Sequence, residues 1–144
     1  MHRLLCLVAL LPAWSFAAVI TVNEPWMRPA AKGASTDVFM ELTVSERAAI
    51  VDIRTPAAAK IAVAKGSRRV APPFPVDLVA QETLLMRDAG THIVLSGLAR
   101  ALKRGDRVPL TLVLAYADGT TQDIEVDAEV RRRSPSEDHG VHRH

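Results

Sequence analysis

Cysteine is nearly absent from this chain. Cys6 is the only one among 144 residues, and it lies in the apolar N-terminal segment. Once that segment is removed, the chain has no thiol for a disulfide, a thiolate nucleophile or a cysteine-based zinc or iron–sulfur site. Any metal that the remaining chain binds must therefore use histidine, methionine, carboxylate or backbone donors.

The chain also lacks a strong excess of charge and a long apolar run. Its 18 Lys and Arg residues and 16 Asp and Glu residues give a net charge of +2. A nucleic-acid surface needs an excess of cations on one face, so no nucleic-acid partner is predicted. No stretch approaches the roughly 20 apolar residues of a transmembrane helix, so no membrane span is predicted after the leader is cleaved.

Residues 1–17 have the three parts of a secretory signal peptide. Arg3 supplies the positive charge, Leu4 to Pro12 form the apolar run, and Ser15-Phe16-Ala17 is a cleavage site of the small-x-small type. Cleavage after Ala17 predicts an exported protein, periplasmic or secreted.

Residues 18–130 form a succession of short strand patterns separated by turn signals. The two most regular run from Val108 to Tyr116 and from Thr120 to Val130, and Ala117-Asp118-Gly119 joins them as a hairpin. Apolar and acidic side chains alternate in the second, which is typical of a strand with one buried face. Residues 57–63 fit a helical turn or a strand, and the neighbouring strands favour a strand. The absence of a long helical pattern predicts one all-β domain, a Greek-key β-sandwich.

Residues 89–98 hold the only histidine between the leader and the C-terminal tail. Glycines flank an aliphatic run, so His92 is predicted near the start of a strand, at an end of the sheet. Ser96 lies on the same side of that strand by alternation, but no third catalytic residue or oxyanion turn accompanies the pair. The sequence therefore predicts that the protein is not an enzyme.

Residues 131–144 have almost no apolar side chains and are predicted to form a disordered tail. Its histidines, His139, His142 and His144, are close enough in sequence to bind Cu(II), Zn(II) or Ni(II) on a flexible chain. The alternative interpretation is a solvated tail with weak affinity for metals.

Five short segments occur in an order that is specific as a set. They are Val19-Ile20-Thr21-Val22, Trp26-Met27-Arg28, Thr55-Pro56-Ala57-Ala58, residues 90–98 and residues 102–112. Together they resemble the periplasmic copper chaperones of the PCu(A)C type, whose motifs include Trp-x-Arg, Ser/Thr-Pro-Ala-Ala and Gly-x-His-hydrophobic-Met-Leu-x-Gly-Leu. The resemblance covers nearly the whole domain from Val19 to Val130 and implies a cupredoxin-like β-sandwich.

The resemblance also implies a copper site. In the family, Cu(I) is held by an early His, a Met after it, and a later His-x-Met, which corresponds here to His92 and Val94. The family spacing puts the earlier Met near Val70 and the earlier His near Ala59, or near Ala64 when the Ser/Thr-Pro-Ala-Ala motif is the anchor. The candidate copper ligands are therefore His92 and the three tail histidines, with Cu(I) or Cu(II) as the ion.

Two functions are compatible with these observations. The first is delivery or buffering of copper for the assembly of a periplasmic oxidase or another cuproprotein, by ligand exchange at a weakened site. The second is a metal-free sandwich that binds a periplasmic protein partner through its ends or edges. Trp26 and Arg28 fit a structural role at the sandwich edge. They are also candidate binding residues, because Trp and Arg are enriched in interface hot spots.

Overall fold

The computed structural model describes residues 18–70 and 76–135, where all the regular elements are β-strands. The predicted signal peptide and the histidines of the predicted tail lie outside these ranges. The strands are β1 (Ile20–Met27), β2 (Thr36–Val44), β3 (Ala48–Arg54), β4 (Ala58–Lys65), β5 (Arg68–Val70), β6 (Val76–Leu78), β7 (Thr83–Leu85), β8 (Thr91–Leu98), β9 (Arg107–Tyr116) and β10 (Thr121–Val130).

Alternation of apolar and polar side chains explains why these segments are strands. In β10, Val126, Ala128 and Val130 are buried. The acidic residues that alternate with them, Glu125 and Asp127, are exposed. Residues 57–63, which fitted a helical turn or a strand, lie mainly in β4, so the strand interpretation is confirmed. A strand is favoured there because β8 supplies hydrogen-bond partners along most of β4.

The ten strands belong to one hydrogen-bonded sheet. Its order is β5-β4-β8-β2-β1-β10-β9-β3-β6, and β7 pairs with β2 outside this path. β1 joins the two halves, because it pairs antiparallel with β2 and parallel with β10 at Trp26 and Met27. The sheet curls around one apolar core, which confirms the predicted all-β, cupredoxin-like Greek-key β-sandwich.

β1 continues through Pro25 because the ladder is interrupted there. The register between β1 and β2 shifts between Asn23 and Trp26, and Glu24 has a φ of 50°. A proline is tolerated at such a bulge, where its missing N–H breaks no ladder bond. The bulge sets the facing of Trp26, which is 8% exposed, and of Met27, which is fully buried.

The residues directly after β10 are packed against the sheet. The Arg131 backbone N–H donates to the Met27 carbonyl over 2.8 Å, and Pro135 is buried. The described part of the chain contains no helix with the length and hydrophobicity needed to cross a membrane.

Candidate functional site

His92 lies where β4, β8, β2 and β1 run side by side. Ala64 of β4 pairs with His92, and the His92 ring lies 5.7 Å from the ring of Phe39 in β2. Phe39 in turn pairs with Trp26 of β1. Because alternate residues of a strand share a face, these side chains form one surface, which we call the His92 face.

A second row of side chains on the His92 face is polar at one end. Val94 pairs with Ala62 of β4 on one side and with Asp37 of β2 on the other. Arg28, just beyond β1, continues the row, and its Nη1 lies 3.7 Å from Asp37 Oδ2. The residues of β8 that alternate with His92 and Val94, such as Ile93, have their side chains on the opposite face and belong to the hydrophobic core.

His92 is buried and fixed in orientation. It is the second residue of β8, which confirms the predicted place near a strand start, and it is 6% exposed. Its Nδ1 lies 3.1 Å from the Arg87 carbonyl oxygen and 3.2 Å from that of Gly90. Since both neighbours are acceptors, Nδ1 carries the proton and donates it. Nε2 is left on the other side of the ring.

The Nε2 atom of His92 faces a carboxylate. It lies 3.5 Å from Asp37 Oδ1, which is long for a hydrogen bond. Two donors bound about 2.1 Å from one tetrahedral ion are themselves about 3.4 Å apart. The pair is thus spaced like two ligands of a single metal ion. Among residues 18–70 and 76–135, no group of three or more His, Cys, Asp or Glu side chains is placed to hold a metal.

Arg28 bridges two acidic side chains above an aromatic platform. Its Nη2 donates to Asp88 Oδ2 over 2.6 Å and its Nη1 to Asp88 Oδ1 over 3.0 Å, while Asp37 Oδ2 lies 3.7 Å from the same Nη1. The guanidinium carbon is 5.1 Å from the centre of the Phe39 ring and 5.8 Å from that of Trp26. These distances fit cation–π contacts. The hydrogen bonds from Arg28 hold the pKa of the Asp88 carboxyl below its ordinary value.

The structure brings three of the predicted site residues together. Trp26, Arg28 and His92 surround one patch, in which Arg28 and His92 share the Asp37 carboxylate. The predicted ligands His139, His142 and His144 lie outside the described residues. Sequence reasoning missed Asp37 and Asp88, the acidic partners of this patch. Asp37 carried a signal, since it is an acidic residue inside the largely apolar strand β2. Asp88 carried none, because its partner is 60 residues away.

Of the positions inferred for the other copper ligands of the family, two lie next to His92 and two lie farther from it. Val94 lies two residues further along β8 on the same face, and Ala64 lies directly across from His92. Both are at least 98% buried. Ala59 lies near the other end of β4, beside Gly97. Val70 of β5 pairs with Val63 of β4, on the side of β4 that is away from β8.

Comparison with solved structures defines the class of protein to which this fold belongs. The apo PCuAC domain from PmoF1 is 18% identical, with a TM-score of 0.65 over 79% of this chain and 94% of that domain. The copper-bound PCuAC domain from PmoF2 is 17% identical, with a TM-score of 0.64 over 82% and 97% of the two chains. The Cu(I) form of DR1885 from Deinococcus radiodurans is 28% identical, with a TM-score of 0.55 over 78% and 79%. The domain therefore has the PCuAC fold.

The family follows from the sequence itself. Residues 20–129 match the family model described as putative lipoprotein LpqE-like. No curated protein matches the chain in sequence. The chain belongs to the LpqE-like family, and the predicted relationship to PCu(A)C-type proteins is confirmed.

Proposed function

We propose that this chain is an exported copper-handling protein that buffers copper or delivers it to a periplasmic oxidase or another cuproprotein. The orientation of His92 carries the proposal. Histidines that ligate metals usually donate their second ring N–H to a carbonyl or carboxylate. His92 does so through Nδ1 to backbone carbonyls, and its Nε2 is left facing Asp37. The copper-bound relatives with this fold support the same interpretation.

The ligand atoms around His92 are fewer than in the copper site of the family, so copper binding there is expected to be weaker. Val94, where the family has its second methionine, has no donor atom, so the described neighbourhood of His92 offers an imidazole and a carboxylate. Imidazole and carboxylate suit Cu(II) better than soft Cu(I). A site with few protein ligands also has open positions through which an acceptor protein can enter and take the ion by ligand exchange. Release of copper then needs no covalent chemistry.

His92→Asn is expected to weaken Cu(II) binding at least about tenfold, since even outer-shell changes cost 10–100-fold in metal affinity. The asparagine amide can keep the donation to the Arg87 and Gly90 carbonyls while the Nε2 donor is lost. Chelator competition with Cu(I) and Cu(II) measures the effect, in a protein ending at Pro135 so that the tail histidines do not contribute. Ser96→Ala, on the same face of β8, is the matched control. Equal copper affinity of His92→Asn and the control would contradict a copper role for His92.

Removal of residues 136–144 is expected to eliminate a second, separate equivalent of bound Cu(II). The melting temperature of the metal-free domain should change little, because Arg131 and the buried Pro135 remain in place. Full-length protein with His139, His142 and His144 replaced by Asn controls for chain length. Unchanged Cu(II) stoichiometry in both variants would show that the tail is not a copper site.

A metal-free module that binds a protein partner is the second candidate. It is favoured by Arg28, whose guanidinium already neutralises Asp88 and lies beside Asp37. A resident cation of this kind competes with a metal ion for the same carboxylates. In this case neither Cu(I) nor Cu(II) binds more tightly to the protein ending at Pro135 than to its His92→Asn variant.

A further inference from the structure

A groove borders the Trp26 end of the His92 face. It has a volume of about 340 Å³, and its lining includes Trp26, Phe39, Leu85, Arg87 and residues 132–134. A second hollow of about 440 Å³ lies between Arg104 and residues 129–133. Arg132 and Arg133 line both, so the two hollows adjoin at these side chains, and we call them together the arginine groove.

The arginine groove concentrates positive charge on a chain whose net charge is only +2. Arg28 and Arg131 are engaged with Asp88 and Glu129. The other cations that line the groove are Arg87, Arg104, Arg132 and Arg133. Their side chains are exposed, and they form no ion pair within residues 18–70 and 76–135. Among the acidic residues that line the groove, only Glu24 and Glu41 are not paired with an arginine, and both lie at the end formed by β1 and β2.

The backbone holds these arginines in place. The Arg131 N–H bonds to Met27, and Pro135 is buried, so Arg132 and Arg133 project from a segment anchored at both ends. The Gly105 N–H donates to the Val130 carbonyl over 2.9 Å, which fixes the turn that carries Arg104 beside the same segment. Because the backbone that carries these arginines is already ordered, a ligand has to order only their side chains when it binds.

The groove also has an apolar component. Leu85 of the short strand β7 is 41% exposed, one of few large apolar side chains so exposed in the described residues. It lies along the groove with the aromatic rings of Trp26 and Phe39. Arginine forks bind carboxylates in a bidentate manner, and an apolar contact beside them gives such a site an anchor.

We propose that the arginine groove docks an acidic segment of a partner protein, with carboxylates on Arg87, Arg104, Arg132 and Arg133 and one aliphatic or aromatic side chain against Leu85. Charge complementarity identifies the occupant, because the unpaired groups of the groove are predominantly guanidinium. The docking requires no metal, so it is independent of the copper proposal. It adds a recognition surface to the chain, next to the face that holds His92.

The test uses a fluorescein-labelled peptide, Glu-Asp-Leu-Trp-Glu-Asp, and metal-free protein at about 0.15 M salt, where charges more than about 8 Å apart are largely screened. The double variant Arg132→Glu, Arg133→Glu should weaken peptide binding at least about tenfold, since each rim arginine is replaced by a repelling charge. The matched control is Arg68→Glu, Arg69→Glu, a second pair of exposed neighbouring arginines on edge strand β5, with the same change in net charge. It should change binding less than about twofold.

A second pair of variants tests the apolar anchor. Leu85→Ser should weaken peptide binding, whereas Val79→Ser, at an exposed apolar residue that does not line the groove, should not. Absence of peptide binding, or equal losses in the two arginine variants, would overturn the proposal. Binding to vesicles containing phosphatidylglycerol, with none to the peptide, would also overturn it in favour of a membrane surface.

Discussion

The double variant Ala64→His, Val94→Met is expected to bind Cu(I) at least about 100-fold more tightly than the natural chain, given that even outer-shell changes shift metal affinity 10–100-fold. The substitutions place an imidazole across from His92 and a thioether two residues along the same face of β8. Together with His92 they supply three donors, and thioether and imidazole are ligands that hold Cu(I) well. Chelator competition under reducing conditions, with the protein ending at Pro135, measures the gain.

Both positions are buried, so larger side chains carry a packing cost of about 1–3 kcal/mol each. The control Ala64→Gln, Val94→Leu has similar added volume without the imidazole or the thioether. Thermal unfolding of the two metal-free variants shows whether they share that cost. A Cu(I) affinity no higher in the His/Met variant than in this control would mean that the His92 face does not present these two positions to a common ion.

Trp26→Ala is expected to lower the free energy of unfolding by about 3–5 kcal/mol, the usual cost of truncating a buried aromatic side chain. Trp26 is 8% exposed and its ring lies 4.9 Å from the ring of Phe39. It also stands where β1 pairs with both β2 and β10, so a cavity there weakens the junction between the halves of the sheet. The loss removes part of the platform beneath Arg28.

Urea unfolding of the metal-free protein, followed by circular dichroism, measures this effect. Trp26→Phe keeps an aromatic ring beside Phe39 and should cost clearly less than the alanine substitution. The exposed residue Val19 provides a second reference, since Val19→Ala should change stability little. A destabilisation by Trp26→Ala below about 1 kcal/mol, within the range of surface substitutions, would contradict a structural role for the ring.

The sequence determined the class of fold because alternation is a local property. In β10 acidic and apolar side chains alternate over the eight residues from Asp123 to Val130, and this pattern is typical of a strand with one face exposed to solvent. The position of His92 near a strand start followed in the same way from the turn glycine and the aliphatic run after it. The ordered motifs between residues 19 and 112 were sufficient to indicate the relationship to PCu(A)C-type domains.

The tertiary structure decided what surrounds His92. Asp37 faces Nε2 from β2, and Asp88 meets Arg28 from a position 60 residues away in the chain. Of the two positions inferred for the early histidine, Ala64 lies across from His92, whereas Ala59 lies near the other end of the same strand. Alternation assigns a side chain to a face, but pairing register and the packing of distant loops determine its neighbours. Those depend on the free energy of the whole sheet, which no local stretch of sequence contains.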